Sequence, residues 1–469
     1  MTSRPWSCDT FVALPDTTRR PAVLFGKNSD RPAGEAQPLR HAPARPAGEP
    51  LRLAYVTLDD APAYAHIGSA PYWCWGYEMG VNERRVAIGN EAVFTRPWAD
   101  AVAREKAGDH QRPGVLGMEL VRLGLERGGT AREALDVITS LLERYGQWGS
   151  ATVGAPHADG AYDNAYVLAD PHEAWVLETL GRDWAARRIT TGVTPVSNEL
   201  SLRTDADLTS RGLRDAATAA GWPADRPLDV ADAFTDPGTP LQVSHIRRRR
   251  ARQLLAEGAA TATGVGIGTA KRVLRDHLED TFLGGPSFDA ARPDFHTLCM
   301  HEHPSGFTWG NTAASLIVEL HAEPGPLTLW WCPTTPCTGV YLPVPLEVET
   351  LPEALTLPLP GPSRDPRDHP RATHDPASVW WQWQHLLDAA KEPGARDFTA
   401  RAARLRASFD ALEARWADAL PTSADDPAAL TAFTRGCLDE ARAEAAALAG
   451  EFGADPARAL DSRWAASAV

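Results

Sequence analysis

The order of apolar segments between residues 8 and 344 is the strongest constraint on how this chain folds. Phe11–Leu14 and Val23–Phe25 are short apolar runs flanking Pro15-Asp16-Thr17-Thr18, the pattern of a β-hairpin. Leu53–Leu58 and Val86–Ile88 read as further strands. Residues 115–127 carry apolar side chains at helical spacing. Thr130 with Glu133 makes a capping box, and Leu135, Ile138, Leu142 and Tyr145 form one stripe that Gly146 ends. Residues 165–168 and 174–177 then flank Asp170-Pro171-His172-Glu173, a second hairpin signal. Helical spacing returns at 208–220, 243–257 and 268–278, and strand-like runs follow at 314–320 and 327–331. Strands, helices, strands, helices, strands is not a βαβ alternation. The pattern predicts a layered α+β domain with antiparallel sheets over 8–344.

Residues 345–376 are rich in proline and have little periodicity, which predicts an extended connector. Residues 377–469 read as a helical region. Leu405, Phe409, Leu412, Trp416 and Leu420 mark one helix, and Leu430, Phe433, Cys437 and Leu448 a second. Pro421 separates them, with Ser423 or Asp425 as the expected cap. The expectation is a C-terminal helical hairpin packed on the main domain or on a partner chain, which would give a homodimer.

Composition narrows the function. A net charge of −14 over 469 residues argues against nucleic acid or an anionic membrane surface as a partner. No apolar run approaches the roughly 18–20 residues of a spanning helix, and Met1–Ser7 has no apolar core of a secretory signal. A cytoplasmic location is expected. The six cysteines include no CxxC pair. His296, His301, Glu302 and His303 are close in sequence but fit no standard metal spacing, so neither metal nor cofactor is expected.

Cys8 stands directly before the first strand, in Ser7-Cys8-Asp9-Thr10-Phe11. By itself it reads as a buried cysteine at a strand edge. As a nucleophile it needs a base, since a free thiol has a pKa of about 8.5, and no histidine lies near it in sequence. An α-amine, with a pKa of about 7.7–8.0, is another base. A cut before Cys8 would put amine and thiol on one residue. Gly26–Asp30, Gly80–Glu83, Ile88–Ala92, Val196–Leu202 and Ser244–Arg247 are each weak signals alone; asparagines mostly cap turns, and an arginine run is mostly a solvated helix face.

Taken in order, these segments form a pattern. Cys8-Asp9-Thr10-Phe11-Val12, Phe25-Gly26-Lys27-Asn28-Ser29-Asp30-Arg31, Trp75-Gly76-Tyr77-Glu78-Met79-Gly80-Val81-Asn82-Glu83 and Gly89-Asn90-Glu91-Ala92 resemble the secernins. So do residues 116–128, Glu173–Thr179, Leu200-Ser201-Leu202 and Cys299-Met300-His301. The resemblance spans most of residues 8–340. Secernins belong with the dipeptidase-A-type cysteine peptidases, which are similar to penicillin V acylases and bile salt hydrolases. It implies an N-terminal-nucleophile hydrolase fold, an αββα sandwich, and hydrolysis of an amide bond in a small peptide or acylated amine.

The resemblance also implies roles. Cys8 matches a nucleophile that becomes N-terminal once residues 1–7 are removed. Asp30 matches an acidic residue that orients the new amine. Asn90 aligns with a backbone N–H of the oxyanion hole, and Asn198 with a side-chain amide that completes it. Arg247 aligns with an arginine near the amine and carboxylate. Lys27 sits where the acylases carry an arginine, and Lys27, Asn28 and Trp75 are assigned to substrate contact, with Tyr72, Trp73 and Tyr77 as core or pocket wall. Two other functions remain open at this point: a biosynthetic amidase or acyltransferase on the same fold, and a non-catalytic regulatory protein.

Overall fold

The computed structural model describes residues 7–238, 242–284, 290–291, 296–302, 310–361, 363–370, 374–391 and 395–453. The chain opens with β1 (Cys8–Ala13) and β2 (Val23–Pro32), then β3 (Leu39–Ala42), a small ribbon of β4 (Leu51–Arg52) and β5 (Thr57–Leu58), β6 (His66–Ser69), β7 (Met79–Asn82) and β8 (Ala87–Val93). Four helices follow: α1 (Arg96–Lys106), α2 (Gly117–Arg127), α3 (Ala131–Tyr145) and the single turn α4 (His157–Gly160). Next come β9 (Asp163–Ala169), β10 (Ala174–Leu180), β11 (Asp183–Ile189), β12 (Val193–Val196) and β13 (Leu208–Thr209). Helices α5 (Leu213–Ala219), α6 (Val230–Phe234), α7 (Gln242–Ala259) and α8 (Ile267–Leu274) lead to β14 (Gly310–Leu320), β15 (Thr328–Pro333) and β16 (Leu342–Pro345). The last elements among the described residues are α9 (Glu353–Thr356), α10 (Val379–Lys391), α11 (Ala395–Asp418) and α12 (Pro427–Glu451).

Two antiparallel sheets result. One has the order β12-β1-β2-β14-β15-β16, the other β13-β11-β10-β9-β8-β7-β6-β3. Alternation along each strand decides which side chains meet. On β9, Ala165, Val167 and Ala169 enter the core between the sheets, while Tyr166 and Leu168 point outward. Val176 and Trp175 divide in the same way on β10. The outward set packs on α2 and α3, which cover the second sheet; α7 and α8 cover the first. The fold is therefore an αββα sandwich built on α+β antiparallel pairing.

Local chemistry explains the turns. Asp170 accepts the N–H groups of His172 and Glu173 at 2.8 and 3.1 Å and shapes the β9–β10 hairpin. Thr130 Oγ1 accepts the Glu133 N–H at 3.1 Å to start α3, and Gly146 ends it at φ +74°. The Glu133 carboxylate, however, takes the Gly129 N–H and leaves the capping box half made.

Three expectations need correction. Leu53–Leu58 is not one strand: Leu53 N–H bonds Val56 O at 2.8 Å, a turn that splits the run between β4 and β5. Residues 208–212 are not helical, since Leu208–Thr209 pairs with β11 before α5 starts. The cap of α12 is neither Ser423 nor Asp425, which bond each other, but Asp426, whose carboxylate accepts the Ala429 N–H at 2.9 Å with Pro427 next to it.

The C-terminal region holds three helices, not only the expected hairpin of α11 and α12. Trp380, Trp381 and Trp383 on α10 are buried, and all three helices pack onto β15 or β16. Among the described residues, no helix is long and apolar enough to cross a membrane.

Candidate active site

The site forms where β1 starts. Cys8 pairs with Ser29 of β2, so its side chain shares the inter-sheet face with Thr10 and Lys27, while Asp9, Asn28 and Asp30 face the α7–α8 layer. Cys8 is 6% exposed. Its backbone N–H donates to Asn198 Oδ1 at 2.8 Å, and its sulfur receives the Asp30 N–H at 3.4 Å. Burial pushes the thiol well above its ordinary value; Lys27 pulls it down, and Glu78, Asp30 and Glu91 push it further up.

Asn198 lies just beyond β12 and is fixed from three sides. Arg247 Nη2 donates to its Oδ1 at 2.7 Å, and its Nδ2 donates to Ala92 O at 2.8 Å. The same guanidinium donates to Ser197 Oγ and, through Nε at 2.9 Å, to Asp9 Oδ2. Arg247 thus leaves the arginine run of α7 and is buried, as is Asp9. Burial lifts Asp9 to a pKa of about 7, with Arg247 holding it down.

Lys27 is fully buried between the sheets. Its ammonium donates to Asn90 O at 2.6 Å and to Glu91 Oε1 at 3.3 Å. Glu91 also accepts from Thr10 Oγ1. Burial opposes the Lys27 charge, but Cys8 and Glu91 more than offset it and raise its pKa. Gly89 makes room for this side chain, because a Cβ there would lie 2.5 Å from Lys27 Cδ. The Asn90 N–H donates to Glu78 O at 3.3 Å, and its side chain sits between Asn164 and Glu78.

Asp30 is buried beside Cys8, and its Oδ1 accepts from Thr312 Oγ1 at 2.7 Å. Burial raises its pKa against the hydroxyls of Ser7 and Thr312. Asn28 faces the helical layer and spends both amide protons on Leu274 O and Leu298 O, at 2.8 and 2.7 Å. Trp75 packs on the α2–α3 side of the second sheet, beneath the guanidiniums of Arg122 and Arg364 at 4.1 and 4.8 Å. Cys8, Lys27, Asp30, Asn90, Asn198 and Arg247 therefore converge, whereas the Asn28 amide is spent on Leu274 O and Leu298 O and Trp75 lies on the outer side of the second sheet. Tyr77 is in the outer core, and Tyr72 and Trp73 cluster with Ala92 and Tyr162.

Asp9, Glu78, Glu91, Ser197 and Thr312 complete the site and carried no role in the sequence reading. Asp9, Glu78 and Glu91 each stand inside a segment that carries the resemblance, which was the available signal. A second cluster, His277, Cys299, His301 and Cys337, lies behind Asp30 and has the donor types of a metal site. A cleft of 1280 Å³ lined by Arg19, Arg250, Arg275, Trp330 and Glu413 contains none of these residues.

Chemically, the arrangement offers a thiol, a neighbouring backbone nitrogen held by an amide oxygen, and buried charges of both signs. Solved structures similar to the chain include three hydrolases. Penicillin V acylase from Agrobacterium tumefaciens is 13% identical, with 72% of this chain and 86% of that one covered at a TM-score of 0.38. A variant of conjugated bile acid hydrolase from Clostridium perfringens is 12% identical, covering 68% and 88% at 0.37. An N-acylethanolamine-hydrolyzing acid amidase ortholog from Caenorhabditis elegans is 13% identical, covering 66% and 92% at 0.30. Residues 76–205, which include Asn90, Glu91 and Asn198, match the family model described as Peptidase family C69.

Proposed function

We propose that this protein is an N-terminal-nucleophile cysteine hydrolase that cleaves an amide bond in a small peptide or acylated amine, once residues 1–7 have been removed. The observation that carries the reading is the Cys8 N–H held by Asn198 Oδ1 at 2.8 Å. In the uncut chain that nitrogen is an amide and has no basicity. After a cut at Ser7–Cys8 it becomes an amine, anchored through one N–H and free to take the thiol proton. Among the described residues, the charged groups acting on the Cys8 sulfur include Lys27, Glu78, Asp30 and Glu91. The freed amine, on the same residue as the thiol, is the base of this reading.

The reaction then runs through a thioester. The thiolate attacks the carbonyl, the oxyanion is met by N–H donors of Asn90 and Asn198, and the ammonium protonates the leaving amine. Water hydrolyses the Cys8 acyl group, with the α-amine as base again. A well-placed oxyanion donor contributes about 2.7–4 kcal/mol. In the uncut chain the Asn90 N–H donates to Glu78 O and one Asn198 Nδ2 proton to Ala92 O, so Asn198 keeps a second proton for the oxyanion while the Asn90 N–H must exchange partners. Lys27 keeps the inter-sheet side of the thiol positive, Arg247 holds Asn198, and Asn28 braces β2. The aromatic cluster of Tyr72, Trp73 and Tyr162 is the proposed wall for the acyl side. The acidic net charge of −14 suits a small-molecule substrate in a cytoplasmic setting.

Intact mass of purified wild type and Cys8→Ala tests this. Loss of residues 1–7 in the wild type, with their retention in the variant, is expected. A panel of dipeptides and acylated amines then defines the substrate. Full-length mass in both, with no turnover, would sink the free-amine mechanism.

A further inference from the structure

We propose that His277, Cys299, His301 and Cys337 form a zinc site of the closed, structural kind. The four residues come from three separate segments. His277 follows α8, Cys299 and His301 flank Met300 ahead of β14, and Cys337 lies in the loop between β15 and β16. All four are buried, and their donor atoms lie within 4.8 Å of one another.

The separations come close to those of a tetrahedron, with the His301–Cys337 one shorter than an ideal edge and none above 4.8 Å. His277 Nε2 and His301 Nε2 are 3.4 Å apart, His301 Nε2 and Cys337 Sγ 3.1 Å, and Cys299 Sγ and His301 Nε2 3.7 Å. Zinc bonds of about 2.0–2.1 Å to nitrogen and about 2.3 Å to sulfur give tetrahedral edges of about 3.3–3.8 Å. Hydrogen bonding alone accounts poorly for the cluster. His301 Nε2 has either one proton or one lone pair, yet three donor atoms crowd it. A cation at the centre takes one lone pair from each.

The surroundings are those of a metal site. His277 Nδ1 faces Glu279 Oε1 at 3.4 Å, and that carboxylate also accepts the His277 N–H at 2.6 Å. This leaves Nε2 to point its lone pair inward, the carboxylate–histidine pairing common behind metal ligands. The Phe398 ring meets both imidazoles edge-on, at 6.5 and 5.1 Å, and excludes water. Two cysteines and two histidines leave no open position, so the ion holds structure rather than binding substrate. Its binding releases two thiol protons.

What it holds is next to the nucleophile. Met300, between two ligands, exchanges hydrogen bonds with Thr312: Met300 N–H to Thr312 Oγ1 and Thr312 N–H to Met300 O, both 2.9 Å. The Thr312 hydroxyl then donates to Asp30 Oδ1 at 2.7 Å. The ion would therefore fix the strand end that carries Asp30.

The test is metal content of full-length protein purified under reducing conditions without chelator. Close to one zinc per chain is expected. Cobalt(II) exchanged into the site should give the visible ligand-field bands of a tetrahedral centre and a near-ultraviolet thiolate charge-transfer band. Cys337→Ser should weaken that band and lose zinc to a mild chelator, while His296→Ala keeps both. Failure of the wild type to hold zinc and to give the cobalt bands on titration would overturn the site. A Cys299–Cys337 disulfide in freshly isolated protein would overturn it equally.

Discussion

The Cys8 backbone nitrogen and the Asn198 side-chain oxygen are joined by a 2.8 Å hydrogen bond that spans β1 and the end of β12. That oxygen also receives Arg247 Nη2, so its direction is set before any substrate arrives. Under the proposed mechanism, Asn198→Ala frees the amine to rotate and lowers kcat roughly 10²-fold, the scale of a small misplacement at a reacting group. Asn198→Asp keeps the acceptor and the Arg247 contact but loses the NH2 that donates to Ala92 O and, in the mechanism, to the oxyanion, so it should lose roughly 10²–10³-fold in kcat on its own. Steady-state kinetics of the processed variants decide this. A nearly unchanged kcat in Asn198→Asp would mean that the amide NH2 has no part in the oxyanion hole.

Arg247 and Asp9 form a buried pair, and deleting one partner leaves the other charge without compensation. Arg247→Gln should cost about 3–5 kcal/mol of stability. Adding Asp9→Asn should return part of that loss, since the stranded carboxylate is then gone. Urea unfolding of the two single variants and the double variant closes the cycle. Strict additivity would mean that the two residues contribute independently.

Why was half of this site readable from sequence and half not? The β1–β2 and β9–β10 hairpins, α2 and α3 were legible because local signals agree with the fold: Asp170 shapes its own turn, Thr130 caps its own helix, and Gly146 supplies its own positive φ. Tertiary pairing is invisible at that range. Asp9, Glu78 and Glu91 look like solvated acids until Arg247, Arg31 and Lys27 are found facing them. The same holds for the sulfur–imidazole cluster. Sequence proximity grouped His296, His301, Glu302 and His303, of which His303 lies outside the described residues. The fold instead brings His301 to His277 and Cys337, residues 24 and 36 positions away. Asn28 adjoins Lys27 in sequence, yet strand alternation turns it to the opposite face.

The fit of Lys27 against Gly89 predicts a volume effect at a distance from the thiol. Gly89→Ala puts a methyl 2.5 Å from Lys27 Cδ and 3.1 Å from Phe25 Cζ. The lysine stem must shift, and its ammonium with it. A loss of about 1–3 kcal/mol is expected from overpacking. Activity should fall further than stability alone explains, because the Lys27–Glu91 pair beside Cys8 moves. Denaturant unfolding together with kcat on the folded fraction separates the two. An unchanged kcat would show that the Lys27 ammonium has no part in catalysis.

Glu178 gives the clearest pH prediction. It is buried on β10 and accepts from Ser201 N–H and Oγ and from Leu202 N–H. Burial nonetheless lifts its pKa from 4.5 to about 7. The folded state therefore binds this proton more tightly than the unfolded state. Between about pH 4.5 and 7 the unfolded chain has released it while the folded chain still holds it, so stability falls as pH rises through that window. Its contribution is fully present below the unfolded pKa and is lost above the folded one. Glu178→Gln keeps an acceptor for the three donors and removes the titration. The variant should lose less stability than wild type between pH 5 and 8 (about the window of the shift), with the smallest difference between the two at the acid end. Thermal unfolding of both proteins across that range measures it, and parallel curves would mean that Glu178 is already ionised in the folded protein at pH 5.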